Sequence, residues 1–173
     1  MLFTDRSLWT MLHGIVLGGG AMMALSAALF ALYTARRTPR SAADGETLAW
    51  LTATIAALLW LTVIVGTYFV FPPYRVAPPE GIADLAQYPR SLILSRPDTA
   101  WLHAFAMESK EHTPWIASML ATAVAFVVIP NRATVLNDAP LRNTATWLLA
   151  ICFVLVSFAA VLGIFVNKVA PLQ

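Results

Sequence analysis

The hydrophobic and polar positions divide the chain into long apolar runs that are joined by shorter polar connections. The four runs lie at about residues 8–34, 47–71, 110–130 and 143–166. A helix that crosses a bilayer needs about 20 predominantly apolar residues. Runs of this length and uniform apolarity are typical of membrane helices. The pattern therefore predicts an all-α membrane protein, a four-transmembrane-helix bundle that forms a single domain over residues 1–173.

The third run differs from the others because charged residues crowd its start. Glu108, Lys110 and Glu111 all lie between His103 and His112. Ionisable residues beside or within a membrane helix are costly and usually functional. The stretch between the two histidines is therefore the first place to look for chemistry.

Local signals predict how the helices begin and end. Thr4 or Asp5 suits the N-cap position of the first helix, Asp44 with Gly45 marks the start of the second, and the last helix follows Asp138. The spacing of Ser95 and Asp98 predicts a capping box. We therefore expect a helical lead-in of about residues 97–111 before the third span.

Prolines set two further expectations. Pro72 and Pro73 should end the second helix and open a long outward loop over residues 72–96. Pro114 removes one backbone hydrogen bond inside the third span, so the fold should contain a Pro-kinked third helix.

Composition agrees with a membrane location. Hydrophobic residues make up 59% of the chain and charged residues only 12%, whereas a soluble domain carries about 25% charged residues. The net charge is only +2, and the basic residues are scattered along the chain. This distribution gives no basis for nucleic-acid binding. The single cysteine, Cys152, lies inside the last run, and we expect it to be a buried, inert thiol.

The arginines predict the orientation in the membrane. Loop one (residues 35–46) and loop three (residues 130–142) hold five arginines in two short segments, namely Arg36, Arg37, Arg40, Arg132 and Arg142. Basic residues concentrate in short cytoplasmic loops. Loops one and three should therefore face the cytoplasm, and both termini and the long loop should face outward.

The three histidines then fall at one end of the bundle, the outward end. His13 lies in the first span and His112 at the mouth of the third, at similar depth, while His103 lies farther out in the lead-in. Small residues from Gly20 onward are expected on the face of His13, where a flat ligand or another helix could approach closely. Imidazole suits iron, and bundles commonly hold cofactors between facing helices.

These positions predict haem b held by His13 and either His112 or His103. Lys110, or the nearby Arg96, could meet the haem propionates at the interface. A haem with two protein ligands has no open coordination position, so it would carry electrons rather than activate oxygen.

Two other interpretations stay open. A metal ion could be held by His13, His112 and Glu108, or copper could be held by His103, Met107, Met11 and His13. Alternatively, nothing is bound, and the histidines and the charged lead-in are interfacial. The chain contains no phosphate-binding loop, dinucleotide fingerprint or nucleophile–base motif.

The span pattern and the histidines on the first and third helices resemble small four-helix membrane cytochrome b-type subunits, which anchor redox complexes. The segment from His103 to His112 is also similar to segments of bacterial membrane proteins. The resemblance implies an inner-membrane electron-transfer subunit that binds haem b, with partner subunits in a redox complex and quinol as a candidate electron donor. The chain departs from the cytochrome pattern because it has three histidines, whereas such subunits often use four histidines as haem ligands. A non-catalytic accessory subunit of a larger membrane complex is the alternative.

The orientation can be tested by cysteine labelling in intact cells. Cysteines that replace Ser41 or Asn137 should react only with reagents that reach the cytoplasm, because loops one and three carry the dense arginines. A cysteine in place of Ala83, in the long loop, should react with an impermeant reagent from outside. Labelling of position 83 only from the cytoplasm would invert the orientation.

Overall fold

The structure is a computed structural model that describes residues 4–171. All regular elements in that part of the chain are helical. In chain order they are α1 (Asp5–Thr34), α2 (Ala42–Arg75), the short α3 (Pro89–Leu94), α4 (the consecutive segments Pro97–Trp101, Leu102–Met107 and Glu108–Val128) and α5 (Ala139–Val169).

Three helices of the described chain, α1, α2 and α5, are long and apolar enough to cross a membrane. They extend beyond the apolar runs seen in the sequence at both ends of α2 and α5. The α4 helix does not meet the same criterion. The first turn after Met107 carries Glu108, Lys110 and Glu111, and these charged residues lower the mean hydropathy of the helix.

The four long helices pack in a ring. α1 contacts α2 and α5, and α4 also contacts α2 and α5. Hence α1 and α4 face each other across the bundle, as do α2 and α5. Aliphatic side chains fill the space between them, and the fully buried ones include Leu25, Leu32, Leu48, Ile55, Val124, Val128 and Leu149.

Chain direction fixes what lies at each end. The end with the start of α1, the end of α2 and the start of α4 contains His13, His103 and His112, and we call it the histidine end. The opposite end contains loops one and three, and we call it the arginine end. The sequence expectation that the histidines share one end agrees with this placement.

The predicted starts of the first and last helices are confirmed. The Thr4 side chain accepts a hydrogen bond from the Ser7 amide, and Asp138 accepts one from the Leu141 amide. The start predicted for the second helix was wrong by one turn. Ser41 is the N-cap there, and Asp44 sits three residues later, where its carboxylate completes a capping box.

The capping box predicted at Ser95 was also wrong. The Ser95 hydroxyl donates to the Leu92 carbonyl, which caps the end of α3, and Asp98 forms an ion pair with Arg96 at 2.9 Å. Arg96 itself occupies the N-cap position without a side-chain cap. The lead-in nevertheless begins as a helix at Pro97, where a proline in the first turn costs no hydrogen bond.

The second helix does not end at its prolines, as the sequence suggested. It continues through Pro72 and Pro73 to Arg75. The segment Gly66–Val70 just before them is π-helical. The prolines then occupy the first positions of a new α-helical segment, where their missing N–H groups cost little.

The third helix runs without a break through Pro114. Its irregular segment lies earlier, where Leu102–Met107 is π-helical. A third π-helical segment, Leu12–Gly18, interrupts α1. All three wide turns lie at the histidine end, and a π turn inside an α-helix is frequently found at a functional site.

Loops one and three are joined at the arginine end. The Arg40 amide donates to Asn137 Oδ1 and Asn137 Nδ2 donates to the Arg40 carbonyl, both at 3.0 Å. Glu46 forms an ion pair with Arg132 at 2.7 Å. Gly45 lies so close to the Arg132 carbonyl that a Cβ there would overlap it.

Replacing Gly45 with alanine should therefore destabilise the protein. The Arg132 main chain must move to admit the methyl group, and overpacking of this kind costs about 1–3 kcal/mol. Gly14→Ala is the matched control, since a Cβ at Gly14 meets nothing within 4 Å. Thermal unfolding in detergent should show a lower midpoint for Gly45→Ala alone. Equal midpoints would contradict the close contact.

Candidate functional site

Each of the four long helices contributes one residue to a group at the histidine end. His13 comes from α1, Gly66 from α2, Lys110 from α4 and Gly163 from α5. Because α1 faces α4 across the ring, the two polar residues occupy one diagonal of the bundle. The two glycines occupy the other. We call these four residues the axial site.

His13 is held by the second helix. Its Nδ1 lies 2.9 Å from the Thr62 carbonyl oxygen. A carbonyl oxygen can only accept, so Nδ1 carries the hydrogen and Nε2 is the free ring nitrogen. The ring lies against Gly66, where a Cβ would come within 2.8 Å of Cε1. Gly66 is thus required for the approach of the ring.

Lys110 reaches inward from the fourth helix. Its Nζ would lie 3.0 Å from a Cβ at Gly163, and it is close enough to His13 for an electrostatic interaction. In the described part of the chain, the Lys110 ammonium has no hydrogen-bond acceptor or carboxylate partner. A partly buried cation without a partner among apolar helices is costly. The arrangement therefore favours a group that accepts the amine's lone pair or brings a negative charge.

Two aromatic pairs lie on either side of the axial site along the bundle. Trp9 stacks on Phe69 with ring centroids 4.1 Å apart. Both residues lie about one helical turn nearer the end of the bundle than the contact of His13 with Gly66. Trp60 meets Trp115 edge to face at 5.5 Å and donates to the Thr122 hydroxyl, on the inner side. The first pair lies nearer the end of the bundle than the axial site, and the second lies nearer the aliphatic core.

The other two histidines are placed elsewhere. His103 pairs with Tyr74, whose hydroxyl lies 3.0 Å from its Nδ1. Tyr74 belongs to a small second core under α3, formed by Tyr74, Ile93, Leu102, Ala106, Met107, Leu162 and Ala170. His112 is exposed, and its Nδ1 donates to the carbonyl of Glu108 on its own helix. The structure therefore does not bring His13 face to face with either of them.

The remaining predicted site residues are also separate from His13. Glu108 is exposed, and Met107 is buried in the second core. Gly20 lies against Leu58 of the second helix. Among residues 4–171 there is no cluster of three or more His, Cys, Asp or Glu side chains that could hold a metal ion.

The axial site offers two ligand-type groups for a haem. An imidazole whose Nδ1–H is fixed by a carbonyl presents Nε2 in the way that metal-bound histidines commonly do. The lysine amine comes from the facing helix. The donor set therefore fits, whereas the present packing of the ring on Gly66 and of the amine on Gly163 requires both side chains to move apart to admit a porphyrin.

Comparison of the chain with protein-family models, curated proteins and solved structures finds no significant match.

Sequence reasoning missed Gly66, Gly163, Thr62 and Tyr74. The two glycines are isolated within apolar helices, and such a glycine usually has a packing or functional reason. The two glycines could therefore have been identified from the sequence. The hydrogen bond from His13 to the Thr62 carbonyl could not, because every residue has a backbone carbonyl.

Replacing Lys110 with leucine should raise the stability of the ligand-free protein. The substitution removes an unpartnered, partly buried polar group, and such a group costs up to about 1–3 kcal/mol when it is fully buried. Lys168→Leu is the control, because Lys168 is exposed near the same end. Thermal unfolding in detergent should give a higher midpoint for Lys110→Leu only. A lower midpoint would show that Lys110 has a stabilising partner.

Proposed function

We propose that the protein is a membrane-embedded electron-transfer subunit that holds haem b at the axial site, with His13 and Lys110 as its ligands. The observation that carries the proposal is the diagonal pair of ligand-type groups beside two glycines, at one level of a four-helix ring. Packing alone gives no reason to place an unpaired amine there. The sequence had named His13 and Lys110 but paired His13 with another histidine.

The proposal includes a fourth span. Glu108–Val128 packs between α2 and α5 along the same ring as the three apolar helices, and its charged residues lie at its mouth. Four spans place both termini on one side of a bacterial inner membrane. The arginine-rich loops then face the cytoplasm, and the axial site lies near the outward face.

The chain's own residues have separate roles in this proposal. The Thr62 carbonyl fixes the His13 tautomer and so keeps Nε2 unprotonated. Lys110 binds as the neutral amine, which removes the unpaired charge from the interior. Gly66 and Gly163 carry no side chains, so the His13 ring and the Lys110 amine can lie directly against the backbones of α2 and α5. A haem held by His13 and Lys110 would supply one-electron transfer, in keeping with quinol or a partner subunit as donor.

The second candidate is a non-catalytic accessory subunit of a larger membrane complex. The observation in its favour is the bond from His13 to Thr62 together with the tight contact at Gly66. These contacts account for His13 as a packed residue without any ligand. The two candidates differ in whether the purified protein is coloured.

Reduced-minus-oxidised absorption spectra of the protein, purified from haem-replete cells, test the proposal. We expect the bands of a b-type haem in the wild type. His13→Ala and Lys110→Leu should each reduce haem content by at least about tenfold, since even the outer partners of a metal ligand change affinity by 10–100-fold.

His112→Ala and His103→Ala are the matched controls and should retain haem. Their side chains are exposed or engaged with Tyr74. Haem loss in His13→Ala and in one of these controls, with retention in Lys110→Leu, would restore the two-histidine arrangement. A colourless wild-type protein would favour the accessory subunit.

A further inference from the structure

A second site lies at the arginine end, far along the bundle from the axial site. A shallow, open depression of about 390 Å³ lies on the surface between loops one and three. Its charged lining residues are Arg36, Arg37 and Arg142, and Asn137 also lines it. No carboxylate lines this depression. We call it the arginine pocket.

The guanidinium groups around the arginine pocket retain free donors. Arg142 donates from Nη1 to the Leu136 carbonyl at 2.8 Å, but its Nε is buried without an acceptor within the described chain. The neighbouring Arg40 also has a buried Nε without an acceptor there. Arg37 donates to the Tyr33 hydroxyl and lies over its ring. Arg36 is exposed.

The carboxylates at this end are engaged with other groups. Asp44 accepts from Ser41 in the cap of α2, and Asp138 accepts from the Leu141 amide in the cap of α5. Glu46 is paired with Arg132. The pocket therefore keeps an excess of positive charge.

We propose that the arginine pocket binds the phosphate of an anionic phospholipid headgroup. Guanidinium groups bind phosphate oxygens with paired, charge-assisted hydrogen bonds. The pocket lies where α1 ends and α5 begins, and both helices are long and apolar enough to span a membrane. This position is level with lipid headgroups, and basic pockets between membrane helices commonly bind anionic lipids. The site is independent of any ligand at the axial site.

Native mass spectrometry of the purified full chain tests the proposal. The probes are phosphatidylglycerol, phosphatidylcholine as the zwitterionic lipid of matched chains, and inorganic phosphate. The wild type should bind phosphatidylglycerol in preference to phosphatidylcholine. Arg36→Gln and Arg142→Gln should each weaken that binding about fivefold, the effect of roughly 1 kcal/mol per basic residue near a membrane surface.

Arg96→Gln is the control, because Arg96 is paired with Asp98 at the other end. It should bind phosphatidylglycerol like the wild type. If Arg142→Gln fails to fold, Arg36→Gln decides, since its exposed side chain is replaced without loss of packing. Equal binding of the two lipids by the wild type would overturn the proposal, as would wild-type binding by Arg36→Gln. Displacement of phosphatidylglycerol by millimolar inorganic phosphate would identify a free-anion site and overturn the lipid assignment.

Discussion

Two glycines decide what can occupy the middle of the histidine end. A methyl group at Gly66 would press on the His13 ring, and one at Gly163 would press on the Lys110 amine. Each glycine inside a helix costs roughly 0.5–1 kcal/mol relative to alanine. The chain carries that cost on two helices at the same level and fills the space with polar groups. The His13 ring and the Lys110 amine therefore approach the backbones of α2 and α5 more closely than they could approach any other residue type.

The irregular turns of the helices cluster around the same level. Leu12–Gly18, Gly66–Val70 and Leu102–Met107 are all π-helical and lie on three different helices. They contain His13, Gly66 and His103. A π-helical turn rotates the chain by a smaller angle per residue than an α-helical turn. The side chains that follow it therefore point in different directions from those in an unbroken α-helix. The arginine end shows the opposite character, with regular helix starts that are capped by Ser41 and Asp138.

The sequence predicted the long helices well, because uninterrupted apolar runs leave little choice of structure. It also located the helix starts at Thr4 and Asp138, since a cap is a local signal. The sequence wrongly predicted that the second helix ends at Pro72 and Pro73. The helix continues because a π-helical segment precedes the prolines, which then lie at the start of a new α-helical segment. Face arithmetic at 100° per residue grouped His13 with small residues such as Ala27, which is exposed. That arithmetic assumes an unbroken α-helix, and Leu12–Gly18 is not one.

The pairing of His13 with Lys110 was beyond sequence reasoning for a different reason. Periodicity describes one helix at a time, whereas this pair depends on which helices face each other across the ring. The predicted metal sets shared that weakness, because they joined His13 to residues of the third helix without any signal for which faces of the two helices meet. Tyr74 engages His103 from the end of another helix, and no spacing rule within the lead-in could reveal it.

The positively charged side chains at the arginine end and at the histidine end lie in different environments. At the arginine end Arg36 and Arg37 are exposed, and Arg132 is paired with Glu46. Lys110 lies partly buried among apolar helices. An unsatisfied group of this kind costs up to about 1–3 kcal/mol when it is fully buried, a large part of a total stability of roughly 5–15 kcal/mol. A ligand at the axial site would therefore bind partly by relieving a cost already present in the empty bundle, and this gain would be largest for a group that contacts the amine directly.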